Sequence, residues 1–167
     1  RRNSNDGIIS YSFYGDWAGP AAHAYKYGYF SAVSEVTPGD FVSTGYYYYN
    51  ICLLKEFAYI LGKTEDETYY TNLKDYMKNK INNTYFNPHT SNYAKGSQGS
   101  NIFALYLDIV PEEHKVDVIQ NVVEDIKKNG YHLTTGNLMT KYALEILTEY
   151  GYVDVAYKIV NQTDYPS

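Results

Sequence analysis

From Thr44 onward the apolar positions recur at three- and four-residue spacings, the period of helices with one buried face. A first helix is predicted over about residues 44–61, stopped by Gly62, a residue suited to a left-handed C-cap. A second follows at once: Thr64 with Glu67 reads as a capping box, and Tyr69, Leu73, Tyr76, Met77 and Tyr85 keep the helical spacing. After a polar, glycine-containing loop over about residues 87–99 comes a shorter helix carrying Ile102, Phe103, Leu105 and Tyr106. Pro111, followed by Glu112 and Glu113, opens a fourth, with Val116, Ile119, Val122, Val123 and Ile126 on its buried face and Gly130 as its stop. A fifth, over about residues 136–150, buries Leu138, Met139, Tyr142, Ile146 and Leu147 and stops at Gly151; a short sixth covers about residues 153–160.

The connections organise these helices. Helices one and two, three and four, and five and six are joined by the tight links "GKT", "DIVP" and "GY", so each pair is an antiparallel hairpin. The connectors between hairpins are longer, and the segment over residues 11–43 is the longest of all. Since each hairpin returns the chain to its starting end, all three long segments fall on one face, at the N-termini of helices one, three and five. Hairpins of unequal length with no shared motif disfavour a solenoid of fixed period and favour an α/α toroid, with helices one, three and five inside. The expectation is an all-α chain of antiparallel hairpins forming part of an (α/α)6 toroid: a single partial domain over residues 1–167, half of a six-hairpin ring.

Composition narrows the function. A formal charge of −5 without a basic run argues against nucleic acid as a partner. Cys52 is the only cysteine, so no intrachain disulfide exists, and no His and carboxylate set has metal-ligand spacing; neither metal nor cofactor is expected. No apolar run reaches the roughly 20 residues of a membrane-spanning helix, so no membrane partner is expected. The start "RRNSNDGIIS" has no initiating Met and no signal-peptide core, as in a processed chain or a piece of a longer one. The 22 tyrosines suit half-buried surfaces, interfaces and pockets for hydroxyl-rich ligands.

The stretch "YSFYGDWAGP" places the single tryptophan, Trp17, beside Asp16 in a segment too rich in Gly and Pro for a helix. A carboxylate next to an indole is either a capped turn or half of a sugar-binding site. His132, in "YHLTTG", falls on the same long-connector face. His23 and His89 lie in loops without partners at ligand spacing, and His114 is expected to be solvated on a charged helix.

"YGDWAGP", "TPGDFVSTGYYYYN", "EFAYILGKTEDETYY", "YAKGSQGSNIFALYLDIVPEE", "GYHLTTGNLMTKYALEILTEYG" and "NQTDYPS", in order and at sensible spacing, resemble the catalytic domain of the bacterial α-L-rhamnosidase family. The resemblance covers nearly all of the chain from about Tyr11. It implies an (α/α)6 barrel and hydrolysis of terminal rhamnose from glycosides with inversion. Inversion needs two carboxyl groups about 6.5 to 9.5 Å apart, one to protonate the leaving oxygen and one to activate water. By the resemblance both lie in motifs outside this stretch, so no catalytic residue is expected here and the isolated chain is expected to be inactive.

The resemblance implies substrate-binding roles for Asp16 and Trp17 in "GDW" and for His132 in "HLTTG". The C–H face of a deoxyhexose packs on an indole while its hydroxyls need acceptors such as a carboxylate. Beside these readings stand structural ones: Asp16 capping a turn, Trp17 plugging the core, His132 ordering its own loop. Thr134, Thr135 and Gly136 read as the N-cap and tight approach of the fifth helix, and Thr44 and Gln98 as capping and loop-packing residues. Ala18 and Asn137 depart from the larger apolar and aromatic residues common at those places in the family, which bears on sugar specificity. The expected partners are a rhamnose-containing glycoside and either the remaining half of the domain or a second copy meeting the exposed apolar flanks. The alternatives are another six-hairpin glycosidase with a different sugar, or a non-enzymatic Tyr-rich helical scaffold.

Overall fold

Helix α1 (Gly39–Ile60) begins five residues before the periodicity predicts. Pro38 occupies its N-cap position at φ −60°, and Asp40 puts a carboxylate in the first turn, where the helix dipole favours it. The computed structural model describes residues 4–12, 14–19 and 36–163. Within them follow α2 (Thr64–Tyr85), α3 (Gln98–Tyr106), a 3-10 turn (Glu112–His114) running into α4 (Lys115–Lys128), α5 (Asn137–Glu149) and α6 (Val153–Val160). His23, Pro20 and the end of "NQTDYPS" lie outside the described residues.

The predicted glycine stops have one geometry. Gly62, Gly130 and Gly151 adopt φ of +64°, +67° and +84°. After each, the chain closes a Schellman pair, such as Gly62 N–H to the Tyr59 carbonyl at 3.1 Å and Lys63 N–H to the Ala58 carbonyl at 2.8 Å. Helix α3 ends the same way with Asp108 (φ +51°) in the glycine's place. The capping box expected of Thr64 and Glu67 does not form. Lys63 ends the Schellman motif of α1 and is also the N-cap of α2, which moves Thr64 into the first turn.

Two short hairpins accompany the helices. β1 (Ser4–Asn5) and β2 (Ile8–Ile9) flank an Asp6–Gly7 turn with both φ positive, the residue pair such turns favour. The Asp6 carboxylate accepts from Tyr76 and Lys80 of α2, both at 2.6 Å. β3 (Phe86–Asn87) pairs with β4 (Asn92–Tyr93) inside the connector read as a polar loop. That hairpin is held by Asn101, whose carboxamide oxygen accepts from Tyr93 N–H at 2.9 Å.

Burial separates inner from outer helices. Every residue of α3 from Gln98 to Leu105 is buried, and α3 packs directly on α1, α4 and α5. The outer helices keep narrower stripes: α2 buries Met77 and Ile81, while Tyr69 and Tyr76 are exposed. On α4, Val116 lies in the first turn at the margin of the stripe and stays 72% exposed, unlike the other four predicted positions. His114 is half-buried, bonded through Nδ1 to Ser91 Oγ at 3.0 Å and packed edge-on against Phe86, which corrects its expected solvation. The seam between the inner helices is aromatic. Tyr46 meets Phe103 at 5.0 Å, Phe103 stacks on Tyr142 at 5.9 Å, and Tyr142 stacks on Tyr106 at 3.8 Å. Much of the tyrosine content is therefore core, with burial pushing the phenols of Tyr46 and Tyr142 up.

Candidate functional site

Helix α5 begins at "TTGN" without a capping side chain of its own: its N-cap is Gly136, and no side chain at the cap accepts from the first-turn amides. The missing acceptors come from 120 residues away. Asp16, fully buried, accepts from Gly136 N–H at 2.7 Å through Oδ2 and from Met139 N–H at 3.0 Å through Oδ1. The Trp17 carbonyl accepts from Asn137 N–H at 2.7 Å. The donors that a helix start leaves open are thus met in trans by the "GDW" turn, and the carboxylate sits where the dipole favours it. Thr135, read as part of the cap, instead bonds Thr140 through their hydroxyls at 2.7 Å.

Glycines make this approach possible. A Cβ on Gly136 would lie 2.2 Å from the Asp16 carbonyl oxygen, and one on Gly99 would lie 2.6 Å from Thr37 Oγ1 and 3.1 Å from Asp16 Oδ2. Thr37, just before α1, pairs with Ser97, the N-cap of α3, at 2.9 Å. Ser97 also accepts from Ser100 N–H at 3.1 Å. The N-termini of α1, α3 and α5 and the turn at residues 14–17 therefore form one interlocked rim.

The connector carrying His132 belongs to the same end. Gln98, at the start of α3 and 1% exposed, accepts from Thr134 N–H at 2.9 Å and donates to Asp125 at 2.8 Å and to the His132 carbonyl at 3.4 Å. Gln98 thus clamps the 132–134 segment onto α3, while His132 is half-buried and its N–H donates to the Asn129 carbonyl at 3.2 Å. Thr44 Oγ1 accepts from Ile9 N–H at 2.9 Å, tying the first hairpin to α1.

Of the three residues singled out in the sequence, Trp17 presents its side chain to solvent, 44% exposed, with Tyr14 edge-on at 6.2 Å. Asp16 presents nothing: both oxygens are held by backbone amides. Burial, the largest influence, pushes its carboxyl above the ordinary value against the lowering effect of those amides. A raised carboxyl in a cleft is a usual sign of a general acid. Here the geometry opposes that reading, because neither oxygen reaches a position where a substrate could meet it. The remote cap was the feature the sequence concealed; its one local trace is a helix start with no Ser, Asp or Asn at the cap position. Among the described residues no group of three or more His, Cys, Asp or Glu is placed to hold a metal ion, and no helix is long and apolar enough to cross a membrane.

The whole chain, residues 1–167, matches the family model described as the bacterial alpha-L-rhamnosidase 6 hairpin glycosidase domain. An alpha-L-rhamnosidase of Streptomyces avermitilis is 31% identical over 142 residues, covering 84% of this chain and 13% of that protein. One from Formosa agariphila is 30% identical over 131 residues, covering 78% of this chain and 14% of its own length. Among solved structures, the alpha-L-rhamnosidase from Dictyoglumus thermophilum superposes with a TM-score of 0.88 at 37% identity, over 99% of this chain and 18% of that one. The Streptomyces avermitilis enzyme, solved in complex with L-rhamnose, superposes with a TM-score of 0.84 at 24% identity, over 99% of this chain and 15% of its own, a likeness of fold. The chain therefore spans less than a fifth of the length of each of these proteins. With its hairpins, its rim and its "GDW" turn so arranged, this chain belongs to the bacterial α-L-rhamnosidase six-hairpin glycosidase domain family.

Proposed function

We propose that the chain is a portion of an inverting glycoside hydrolase that removes terminal rhamnose from glycosides. In this reading it supplies part of the sugar pocket and neither of the two carboxyl groups that inversion requires. The observation that carries the reading is the half-exposed Trp17 indole on a rim where three inner-helix N-termini converge. An indole offers the flat apolar surface on which the C–H face and methyl of a deoxyhexose pack. Asp16, sealed against amides, is assigned the positioning of that indole rather than contact with the sugar. In this reading His132, whose segment is clamped onto the start of α3, offers its imidazole to a hydroxyl of the sugar.

The test is hydrolysis of an aryl α-L-rhamnoside by the full-length protein, read by the anomeric configuration of the released sugar. Release of the inverted anomer is expected; no turnover, or turnover only of a different glycoside in a substrate panel, would overturn the assignment. The 167-residue chain alone is expected to show no turnover, and clear turnover by it would place both carboxyl groups inside the chain.

A further inference from the structure

The connector at residues 129–136 is fixed at both of its ends. Its first residues close the Schellman turn of α4, with Gly130 N–H donating to the Lys127 carbonyl at 3.1 Å and Tyr131 N–H to the Ile126 carbonyl at 2.8 Å. Its last residue is taken up by the Asp16 cap on α5. Between these ends the buried side chain of Gln98 reaches the stretch at residues 132–134 from the start of α3. Resting on the functional reading given above, we propose that Gln98, locked by Asp125, is a positioning residue that fixes the direction in which the His132 imidazole is offered to the sugar.

The carboxamide is used at both of its ends. Oε1 accepts from Thr134 N–H at 2.9 Å, while Nε2 donates to Asp125 Oδ2 at 2.8 Å and to the His132 carbonyl at 3.4 Å. Turned over, the group would set an oxygen against a carboxylate and an NH2 against an amide N–H, so its two neighbours decide which way it points. Asp125 makes the hydrogen bond charge-assisted, the stronger kind. Its Oδ2 also accepts from Asn129 Nδ2 at 3.2 Å, which holds the carboxylate in the last turn of α4. The consequence falls on His132. Its own N–H, donating to the Asn129 carbonyl at 3.2 Å, pins the peptide plane before it, and the Gln98 contact with its carbonyl pins the plane after it. With both planes set, the bond from backbone to side chain has one direction. The Trp17 turn lies against the far end of the same connector, since a Cβ on Gly19 would be 3.5 Å from Gly136 N. Gln98 and Asp16 therefore hold the two segments of the proposed site in one arrangement. Without the clamp, the imidazole must be ordered when the sugar binds, a cost that falls on KM before kcat.

The test exchanges the charge across the contact. Gln98→Glu keeps the shape and the acceptor but sets a second carboxyl against Asp125, where like charges repel. Gln98→Glu combined with Asp125→Asn swaps carboxylate and carboxamide, so that one donor again meets one acceptor. KM and kcat of the full-length protein on phenyl α-L-rhamnoside are measured for wild type, Gln98→Glu, the exchanged pair, His132→Ala, and Gln98→Glu with His132→Ala. Gln98→Glu is expected to raise KM about three- to tenfold while kcat changes less than about twofold, and the exchanged pair to bring KM back to within about threefold of wild type. In the His132→Ala background, Gln98→Glu is expected to raise KM no further. A Gln98 that merely supports the fold would raise KM equally in both backgrounds. That result would overturn the proposal, and so would an unchanged KM in Gln98→Glu. Circular dichroism checks folding of each variant. If Gln98→Glu does not fold, Asp125→Asn alone takes its place: it keeps an acceptor and removes a negative charge from a helix C-terminal turn, where the dipole disfavours it. Its expected KM rise is about two- to threefold, again absent in the His132→Ala background, and an equal rise in both would overturn the proposal. No rhamnoside turnover by wild type overturns the functional reading and this proposal with it. Turnover by wild type with KM unmoved in the variants overturns this proposal alone.

Discussion

The Asp16 carboxylate caps the start of helix α5 at Gly136 N–H, 2.7 Å away in space and 120 residues away in sequence. This contact joins the turn that presents Trp17 to the scaffold, so its loss would affect both stability and the site. Asp16→Ala leaves two buried amides without acceptors, each costing about 1–3 kcal/mol. We expect a loss of roughly 2–4 kcal/mol in denaturant unfolding, with the midpoint falling and the m-value unchanged. Asp16→Asn keeps one acceptor but turns an NH2 toward a backbone donor, so it should recover less than half of that loss. A near-neutral Asp16→Asn would show that a single acceptor suffices.

Two glycines separate steric from conformational demands. Gly136 has φ −84° and ψ −174°, open to any residue, but an added Cβ would meet the Asp16 carbonyl oxygen at 2.2 Å. Gly62 has φ +64° with nothing within 4 Å of an added Cβ. Gly62→Ala should therefore cost only the left-handed strain, about 1–2 kcal/mol. Gly136→Ala must push backbone from backbone and should cost at least as much, about 1–3 kcal/mol from overpacking, while also displacing the Trp17 turn. Thermal unfolding measures both, and the ranking would fail if Gly62→Ala were the more damaging.

What the sequence shows and what it conceals follow from range. Gly62, Gly130 and Gly151 could be read as stops because a Schellman turn is decided within a few residues and needs φ > 0. Asp108 makes the same turn without the telltale glycine, and only the "DIVP" link betrays it. The Thr64 and Glu67 box misled because the rule considers one helix at a time, whereas Lys63 closes α1 and opens α2 in a single residue. His114 looked solvated from its charged neighbours; Ser91, brought in by the β3–β4 hairpin, gives it a partner that periodicity cannot reveal. The common rim of long connectors was legible because hairpin parity alone dictates it. The division of labour in the "GDW" turn, with a sealed carboxylate and a presented indole, depends on a helix start 120 residues downstream.

Alkaline pH should loosen the packing around the half-buried phenols of Tyr85 and Tyr106, at the ends of α2 and α3. Burial pushes the Tyr85 and Tyr106 phenols to about 12. Since the folded values lie above the ordinary 10, the unfolded chain releases these protons first. The stability they contribute is complete below pH 10 and is lost as pH rises toward 12. For Tyr85 the loss at pH 11.5 is at most roughly 2 kcal/mol. Tyr85→Phe removes that titration along with the bond to Asp40 at 3.1 Å. The variant should be less stable than wild type at pH 8, with the gap narrowing by pH 11.5 in urea titrations; a gap independent of pH would show that Tyr85 titrates alike in both states.

Trp17 provides the sharpest contrast with its neighbour. Its backbone carbonyl, not its ring, joins the α5 cap, and Trp17 is 44% exposed, its ring meeting Tyr14 edge-on among the described residues. Trp17→Ala should therefore cost less than about 1 kcal/mol of stability, the scale of a single aromatic pair. In the full-length protein the same substitution should raise KM for an aryl rhamnoside roughly tenfold, equivalent to about 1.4 kcal/mol, and change kcat less. Asp16→Ala should reverse the order, with a large loss of stability and weaker binding only because the indole is no longer held. Asp16→Ala retaining full stability while losing substrate binding would instead place the carboxylate against the sugar, and an unchanged KM in Trp17→Ala would remove the indole from the pocket.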